Sequence, residues 1–264
     1  MSKKRIDVLL VEVGLAESRN QAQRLVMAGV VRADGEMVTK PSTQVKEDAS
    51  IEIKQQPRYV SRGGYKLEAG FAAFNVNVIG KVCADVGAST GGFTDCLLQN
   101  GAGRVYAIDV GYGVLDWRLR NDPRVVVMER TNARYLESLP EFINLVTIDV
   151  SFISLSLILP AVKGWFQGLD GQTIALIKPQ FEAGRKAAAV HAGVIKDADV
   201  HREVLDTTLR NAGALGFFPV GLIASPIRGP KGNVEFLADF RTNPAENLVE
   251  LGEMIEKALQ EIPL

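Results

Sequence analysis

Hydrophobic residues follow two different spacings along the chain. Near the start, Ile6, Leu9, Leu10 and Val13 fall at i, i+3, i+4 and i+7, one face of a helix for which Gly14 is a suitable stop. Ser18 with Gln21 three residues later reads as a capping box for a second helix, with Ala22, Leu25 and Val26 as its apolar stripe and Gly29 as its end. Val30-Val31 and Met37-Val38 flank Asp34-Gly35, a hairpin turn signal. This stretch predicts a compact α+β module too small to enclose a catalytic cleft of its own.

Beyond Lys81 the pattern changes to short, continuously apolar runs: Val82–Val86, Val105–Ile108, Val125–Met128, Leu145–Ile148 and Thr173–Ile177. Helix-length segments separate most of them, which predicts an α/β fold with a mostly parallel sheet covered on both faces. Gly216–Ile223 and Val234–Phe240, joined by the turn-rich Ser225–Asn233, predict a closing hairpin and with it an antiparallel last strand. Asn243-Pro244-Ala245-Glu246 reads as the start of a final helix with Leu248, Leu251, Ile255 and Leu259 as its buried stripe. Pro57 and Ser61-Arg62-Gly63-Gly64 mark the boundary, giving a first domain at 1–57, a linker at 58–62 and a second domain at 63–264.

Composition narrows the function classes. Of 264 residues 47% are hydrophobic and 23% charged, a globular balance able to bury a full core. Thirty Lys and Arg against thirty-one Asp and Glu leave a net charge of −1, so any nucleic-acid surface has to be a local patch. Residues 1–66 hold twelve basic against eight acidic side chains, which locates that patch in the first domain and linker. Cys83 and Cys96 with two histidines are too few for a disulfide framework or a four-ligand zinc site, so no metal is expected and both cysteines read as core residues. The longest uncharged run, Asn211–Ile227, is cut by glycines and prolines and falls short of the ~20 apolar residues of a spanning helix. Asp7 and Glu12 interrupt the stretch after the basic start, leaving no signal-peptide core. The expectation is a cytoplasmic chain with no membrane partner.

The loop Asp85-Val86-Gly87-Ala88-Ser89-Thr90-Gly91-Gly92-Phe93-Thr94 follows the first apolar run and opens a helix, where backbone N–H groups can approach a ligand closely. Three ligands compete for it. A dinucleotide fingerprint needs a middle glycine that this loop lacks. A nucleotide-triphosphate loop needs a lysine where Phe93 stands. S-adenosylmethionine (SAM) carries no phosphate and needs only close backbone contact and an acid, and Asp109 ends the second run where a carboxylate can accept ribose hydroxyls. The plain alternative is a structural turn with Asp109 as a helix cap.

Charged residues also stand where apolar strands end. Asp149 closes Leu145–Ile148, Lys178 closes Ile174–Ile177, Glu235 sits between Val234 and Phe236, and Lys66 lies on an apparent helix with Leu67 and Phe71. Singly, each reads more readily as a solvated cap; together, two lysines and two acids form a charge-balanced group that survives partial burial by mutual pairing.

Taken together, Asp85-Val86-Gly87-Ala88-Ser89-Thr90-Gly91-Gly92-Phe93, Ile148-Asp149-Val150-Ser151-Phe152-Ile153, Ile177-Lys178-Pro179-Gln180-Phe181-Glu182 and Asn233-Val234-Glu235-Phe236-Leu237 resemble the FtsJ-type ribose 2′-O-methyltransferases. Ser61-Arg62-Gly63-Gly64-Tyr65-Lys66 and Arg130-Thr131-Asn132-Ala133-Arg134 bring the resemblance closest to the TlyA subfamily of ribosomal RNA methyltransferases. The first domain is similar to the αL RNA-binding module of ribosomal protein S4, through Arg5-Ile6-Asp7, Ser18-Arg19, Arg24-Leu25 and Gly29-Val30 among others. Thr90 and Phe93 stand where FtsJ itself carries Pro and Trp.

The resemblance implies a Rossmann-like class I SAM-dependent methyltransferase domain preceded by an S4-type RNA-binding domain. It implies methyl transfer to a ribose 2′-hydroxyl by a tetrad of Lys66, Asp149, Lys178 and Glu235, with Lys178 as base or alkoxide stabiliser. Cofactor contacts are expected from Asp85, Gly87, Gly91, Phe93, Asp109, Asn132 and Asp149, that of Asn132 by resemblance alone. Contacts to ribosomal RNA or ribosomal subunits are expected from Arg5, Arg19, Arg24, Arg58 and Arg62, and near the cleft from Arg185, Arg228 and Lys231. Three other readings compete: a pore-forming or membrane-active haemolysin, the label often given to the TlyA subfamily; a non-catalytic RNA-binding ribosome-assembly factor; and an NAD-dependent dehydrogenase.

Overall fold

The structure, a computed structural model, describes residues 3–27, 29–54, 58–166, 168, 170–183, 194–229, 232–244 and 250–262. Arg185, Lys231, the Arg24 side chain and residues 245–248 of the expected last helix lie outside the described residues. The chain divides into two compact units, Met1–Arg58 and Tyr59–Leu264.

The first unit runs β1 (Lys3–Arg5), α1 (Ile6–Glu12), α2 (Arg19–Met27), β2 (Val31–Ala33), β3 (Glu36–Met37), β4 (Gln44–Lys46) and β5 (Ile51–Ile53). Its apolar stripes close on one core containing Ile6, Leu10, Ala22, Val26 and Val31. The turn between β2 and β3 places Asp34 at φ 50° and Gly35 at φ 81°, the positive pair a two-residue hairpin needs. At the start of α2 the Gln21 N–H donates to Ser18 Oγ at 3.3 Å, while Gln21 Oε1 accepts from the Glu17 N–H, one residue further out than a capping box would reach. Val13 was expected on the buried face, but α1 ends at Glu12 and Val13 is half exposed beyond it. The pairing of β1 with β4 leaves little apolar signal, since Lys3-Lys4-Arg5 pairs with Gln44–Lys46, whose one apolar residue, Val45, packs against this core.

The second unit begins with α3 (Gly63–Phe74), then alternates β6 (Val82–Val86), α4 (Gly92–Gln99), β7 (Arg104–Ile108), α5 (Trp117–Arg120) and β8 (Val125–Met128). It continues through β9 (Leu145–Ile148), α6 (Leu159–Trp165), β10 (Gln172–Ile177), α7 (Pro179–Glu182), α8 (Ala198–Ala214), β11 (Phe218–Ala224), β12 (Phe236–Arg241) and α9 (Leu251–Gln260). The strands form one seven-stranded sheet in the order β11-β12-β10-β9-β6-β7-β8. β10-β9-β6-β7-β8 are mutually parallel, and β12 runs antiparallel to both β10 and β11. Side chains alternate strictly between two cores: Ala84, Tyr106, Val146 and Ala175 face one, and Cys83, Val105, Leu145 and Ile174 the other. Both cysteines are buried, and burial pushes the Cys83 thiol up to about 12.

The chain order reverses between β6 and β9, neighbours in the sheet. In open parallel sheets that reversal opens a crevice at the carboxyl ends of the strands. Among the described residues, no helix is long and apolar enough to cross a membrane.

Candidate active site

At the carboxyl end of β6 the loop takes positive φ at Gly87 (83°), Ser89 (48°) and Gly91 (95°). A Cβ on Gly87 would lie 2.5 Å from the Asp149 carbonyl oxygen, so the loop abuts the end of β9 directly. One on Gly91 would strike Leu119 and Leu115. Asp109, just past β7, ties the loop across: Oδ2 accepts the Ser89 N–H at 2.8 Å and Oδ1 the Gly111 N–H at 2.7 Å.

Beside this loop lies a small, open cleft. Its walls include apolar Val114, Leu115 and Val127 and polar Ser89, Asp109 and Glu129. Glu129, past the end of β8, accepts the Gly113 N–H at 2.8 Å, and the Arg120 guanidinium bonded to it holds its carboxyl below the usual range. Apolar walls with two carboxylates suit a flat heterocycle carrying hydroxyls or a positive charge, and suit a phosphate poorly.

Asp85, Phe93 and Asn132, expected as cofactor contacts, are not among the residues lining this cleft. Asp85 is wholly enclosed beneath the loop, its Oδ2 accepting the Thr94 hydroxyl at 2.7 Å and Oδ1 the Thr147 hydroxyl at 3.0 Å. Burial pushes its carboxyl up to about 7. Phe93, on the first turn of α4, packs in the core with Cys96 and Leu97. Asn132 caps a short turn, its Oδ1 accepting the Arg134 N–H at 3.1 Å. Glu129 was missed, although it follows its strand as Asp109 follows β7.

The charged residues at the strand ends form two ion pairs. Lys178 Nζ lies 2.5 Å from Asp149 Oδ1 and donates to Ser151 Oγ at 3.0 Å. Lys66, on the first turn of α3, donates to Glu235 Oε2 at 2.5 Å. Ile177 pairs with Phe236 across β10 and β12, so the next residues, Lys178 and Glu235, emerge at the same end of neighbouring strands. Glu235 precedes β12 rather than lying within it, and it is 1% exposed. Both lysines are buried too, and burial of this kind is sustained only by close pairing.

Phe152, in the turn after Asp149, is 90% exposed and held at φ 65°. A bulky residue in left-handed backbone with its ring in solvent is an outlier of the kind that marks functional sites. Its ring meets Phe181 at a centroid distance of 4.8 Å. Composition gave no sign of this placement.

In the first unit, Arg5 and Arg19 share one buried acid. Arg5 Nε and one terminal nitrogen donate to Asp7 at 2.9 Å each, and Arg19 Nε and Gln23 Nε2 donate to Asp7 Oδ2 at 3.0 Å each. Asp7 is fully buried, and the donated bonds hold its carboxyl well below the usual range. Arg5 and Arg19 stay 38% and 55% exposed at the side chain. Arg58, Arg62 and Arg228 are exposed on their own units.

The FtsJ-like methyltransferase family model matches residues 59–241, and an S4 domain model matches residues 4–51. The 16S/23S rRNA (cytidine-2′-O)-methyltransferase TlyA of Mycobacterium tuberculosis is 44% identical over 98% of this chain and 98% of its own length. Hemolysin A of Brachyspira hyodysenteriae is 42% identical over 89% of this chain and 99% of its own. A solved structure from Streptococcus thermophilus, provisionally described as a hemolysin, superposes with a TM-score of 0.73 at 44% identity, covering 99% of this chain and 97% of that one.

Proposed function

The chain belongs to the FtsJ-like methyltransferase family, and on that premise we propose that it transfers a methyl group from SAM to a ribose 2′-hydroxyl of ribosomal RNA. The observation that carries this reading is the Lys178–Asp149 pair, set at the carboxyl ends of β10 and β9 where the Gly87 loop touches Asp149. Relatives of this length are named for cytidine 2′-O-methylation, which makes cytidine the first target to test.

When bound, SAM supplies an electrophilic methyl group on a sulfonium. Asp109 and Glu129 are the carboxylates that would hold its hydroxyl or amino groups, and Val114, Leu115 and Val127 the apolar residues that would take its base. The ribose hydroxyl is the weak partner, since its pKa lies far above neutrality, and the protein has to stabilise it as its proton leaves. Lys178 is suited to that task. Of its ammonium's three N–H directions, Asp149 and Ser151 take two and fix the group; the third is available for the developing alkoxide, whose proton passes to solvent while the O–CH₃ bond forms and the CH₃–S bond breaks to leave the neutral thioether. Lys66 and Glu235 complete the tetrad by keeping a second compensated pair at the same end of the sheet. Positioning of hydroxyl and methyl in line supplies much of the remaining acceleration.

Arg5 and Arg19, held as a pair by Asp7, meet RNA phosphates, as Arg58 does on the first unit and Arg62 and Arg228 do on the second. Phe152 stacks on a base near the reacting ribose. A ribosomal substrate supports a cytoplasmic location.

The test is incubation of the full chain with methyl-labelled SAM and ribosomal subunits or naked ribosomal RNA, followed by mapping of 2′-O-methyl marks. Label at a ribose oxygen supports the reading. Label on a base overturns the tetrad mechanism, and tight RNA binding with no label makes the chain an assembly factor.

A further inference from the structure

We propose that Glu182 is a positioning residue for the transfer step, latching the turn that carries Asp149, Ser151 and Phe152 onto the short helix that follows Lys178. The proposal rests on the functional reading above. Glu182 closes the Lys178-Pro179-Gln180-Phe181-Glu182 segment and takes no part in either ion pair.

The geometry is that of a clasp between two strand ends. Glu182 Oε2 accepts the Ser154 hydroxyl at 2.6 Å, and Oε1 accepts the Leu155 N–H at 2.8 Å. Ser154 in turn caps the turn that follows, its Oγ accepting the Ser156 N–H at 3.3 Å. On the other side α7 is anchored on Lys178 itself, whose carbonyl accepts the N–H groups of Phe181 at 2.8 Å and Glu182 at 3.1 Å. Between these anchors lie the contacts that matter for chemistry: Lys178 with Asp149, Lys178 with Ser151, and Phe152 on Phe181. Glu182 thus holds the far end of a set of bridges whose near end is the reactive ammonium.

The turn needs such a clasp. Phe152 sits at φ 65° with an exposed ring, so the turn's own backbone preference opposes this conformation. A carboxylate partly withdrawn from water is costly unless hydrogen-bonded, and burial pushes the Glu182 carboxyl up while its bonds to Ser154 and Leu155 offset that. A group kept under such conditions beside a strained turn organises that turn. Without it, Ser151 and Phe152 lose their fixed direction while the strands beneath stay paired.

The experiment compares full-length wild type with Glu182→Ala, Glu182→Gln, Ser154→Ala and the Glu182→Ala/Ser154→Ala double variant. Hydrogen exchange over residues 149–156 reads the latch directly, and kcat, KM for RNA and the dissociation constant of S-adenosylhomocysteine read its consequence. Glu182→Ala is expected to speed exchange in that turn and leave β6 and β9 protected. It lowers kcat by about tenfold with cofactor affinity unchanged to within about twofold. Glu182→Gln retains one acceptor oxygen and recovers part of the loss. The double variant is no slower than Glu182→Ala alone, because both changes break the same contact. Unchanged exchange in Glu182→Ala and Glu182→Gln overturns the proposal, as does a kcat loss matched by an equal loss of cofactor affinity. Should wild type transfer no methyl group to any ribosomal RNA, the functional reading fails, and the exchange data alone decide the latch.

Discussion

The ammonium of Lys178 lies 2.5 Å from the carboxylate of Asp149, joining the residues that close two neighbouring parallel strands. A lysine there is held by the sheet rather than by its own flexible stem, so its removal should affect chemistry more than binding.

Lys178→Ala is therefore expected to lower methyl transfer by at least about a hundredfold. Calorimetric titration with S-adenosylhomocysteine should show affinity within about threefold of wild type. Retained turnover would take Lys178 out of the mechanism.

Asp109 ties the glycine loop to β7 through Ser89 and Gly111 while lining the cleft. Asp109→Ala leaves two backbone N–H groups without their acceptor and removes the proposed cofactor contact. Cofactor binding should weaken by about 1–3 kcal/mol, roughly 5- to 150-fold, measured by the same titration.

Asp85 gives the protein a pH-dependent stability of definite sign. In the unfolded chain this carboxyl ionises near the ordinary aspartate value of 3.8, whereas in the fold it keeps its proton up to about 7. The folded state therefore binds more protons between those values, and stability falls as pH rises through that window, by up to about 4 kcal/mol from this group. Denaturant titrations at pH 5 and pH 8 should show the loss, and Asp85→Asn should flatten it.

Phe152 contributes almost nothing to the core, since its ring is in solvent. Phe152→Ala should leave the melting temperature near that of wild type and reduce kcat/KM for RNA by the value of one stacked base, about 1–3 kcal/mol. A short substrate whose target base is abasic should respond to the substitution far less.

Asp7 binds Arg5 and Arg19 from within the first unit. Asp7→Ala should destabilise that unit by about 1–3 kcal/mol through lost charge-assisted bonds. It should also weaken RNA binding more at low salt than at high, because the two proposed phosphate contacts lose their fixed spacing. Filter binding across a salt series measures both affinity and slope.

Much of this architecture was legible before coordinates. Continuous runs such as Val82–Val86 and Leu145–Ile148 became buried parallel strands because nothing polar within them competes with the core. Asp109, Asp149 and Lys178 could be placed at strand ends because each interrupts such a run. The features that stayed hidden depend on convergence in space. Asp7 read only as a charge interrupting an apolar stretch, whereas its partners arrive from residues 5, 19 and 23. The Phe93 ring packs in the core once α4 begins at Gly92, which the loop's glycine pattern did not reveal. Phe152 sits in a run that looks apolar and buried, and only its backbone angle turns it outward.

The first unit encloses its own apolar interior, Ile6 through Val38, separate from the two that flank the large sheet. Recognition and reaction can therefore diverge independently. Exchanging the opening fifty-eight residues for another RNA-gripping module would redirect the same methylating half to a new transcript without asking it to refold.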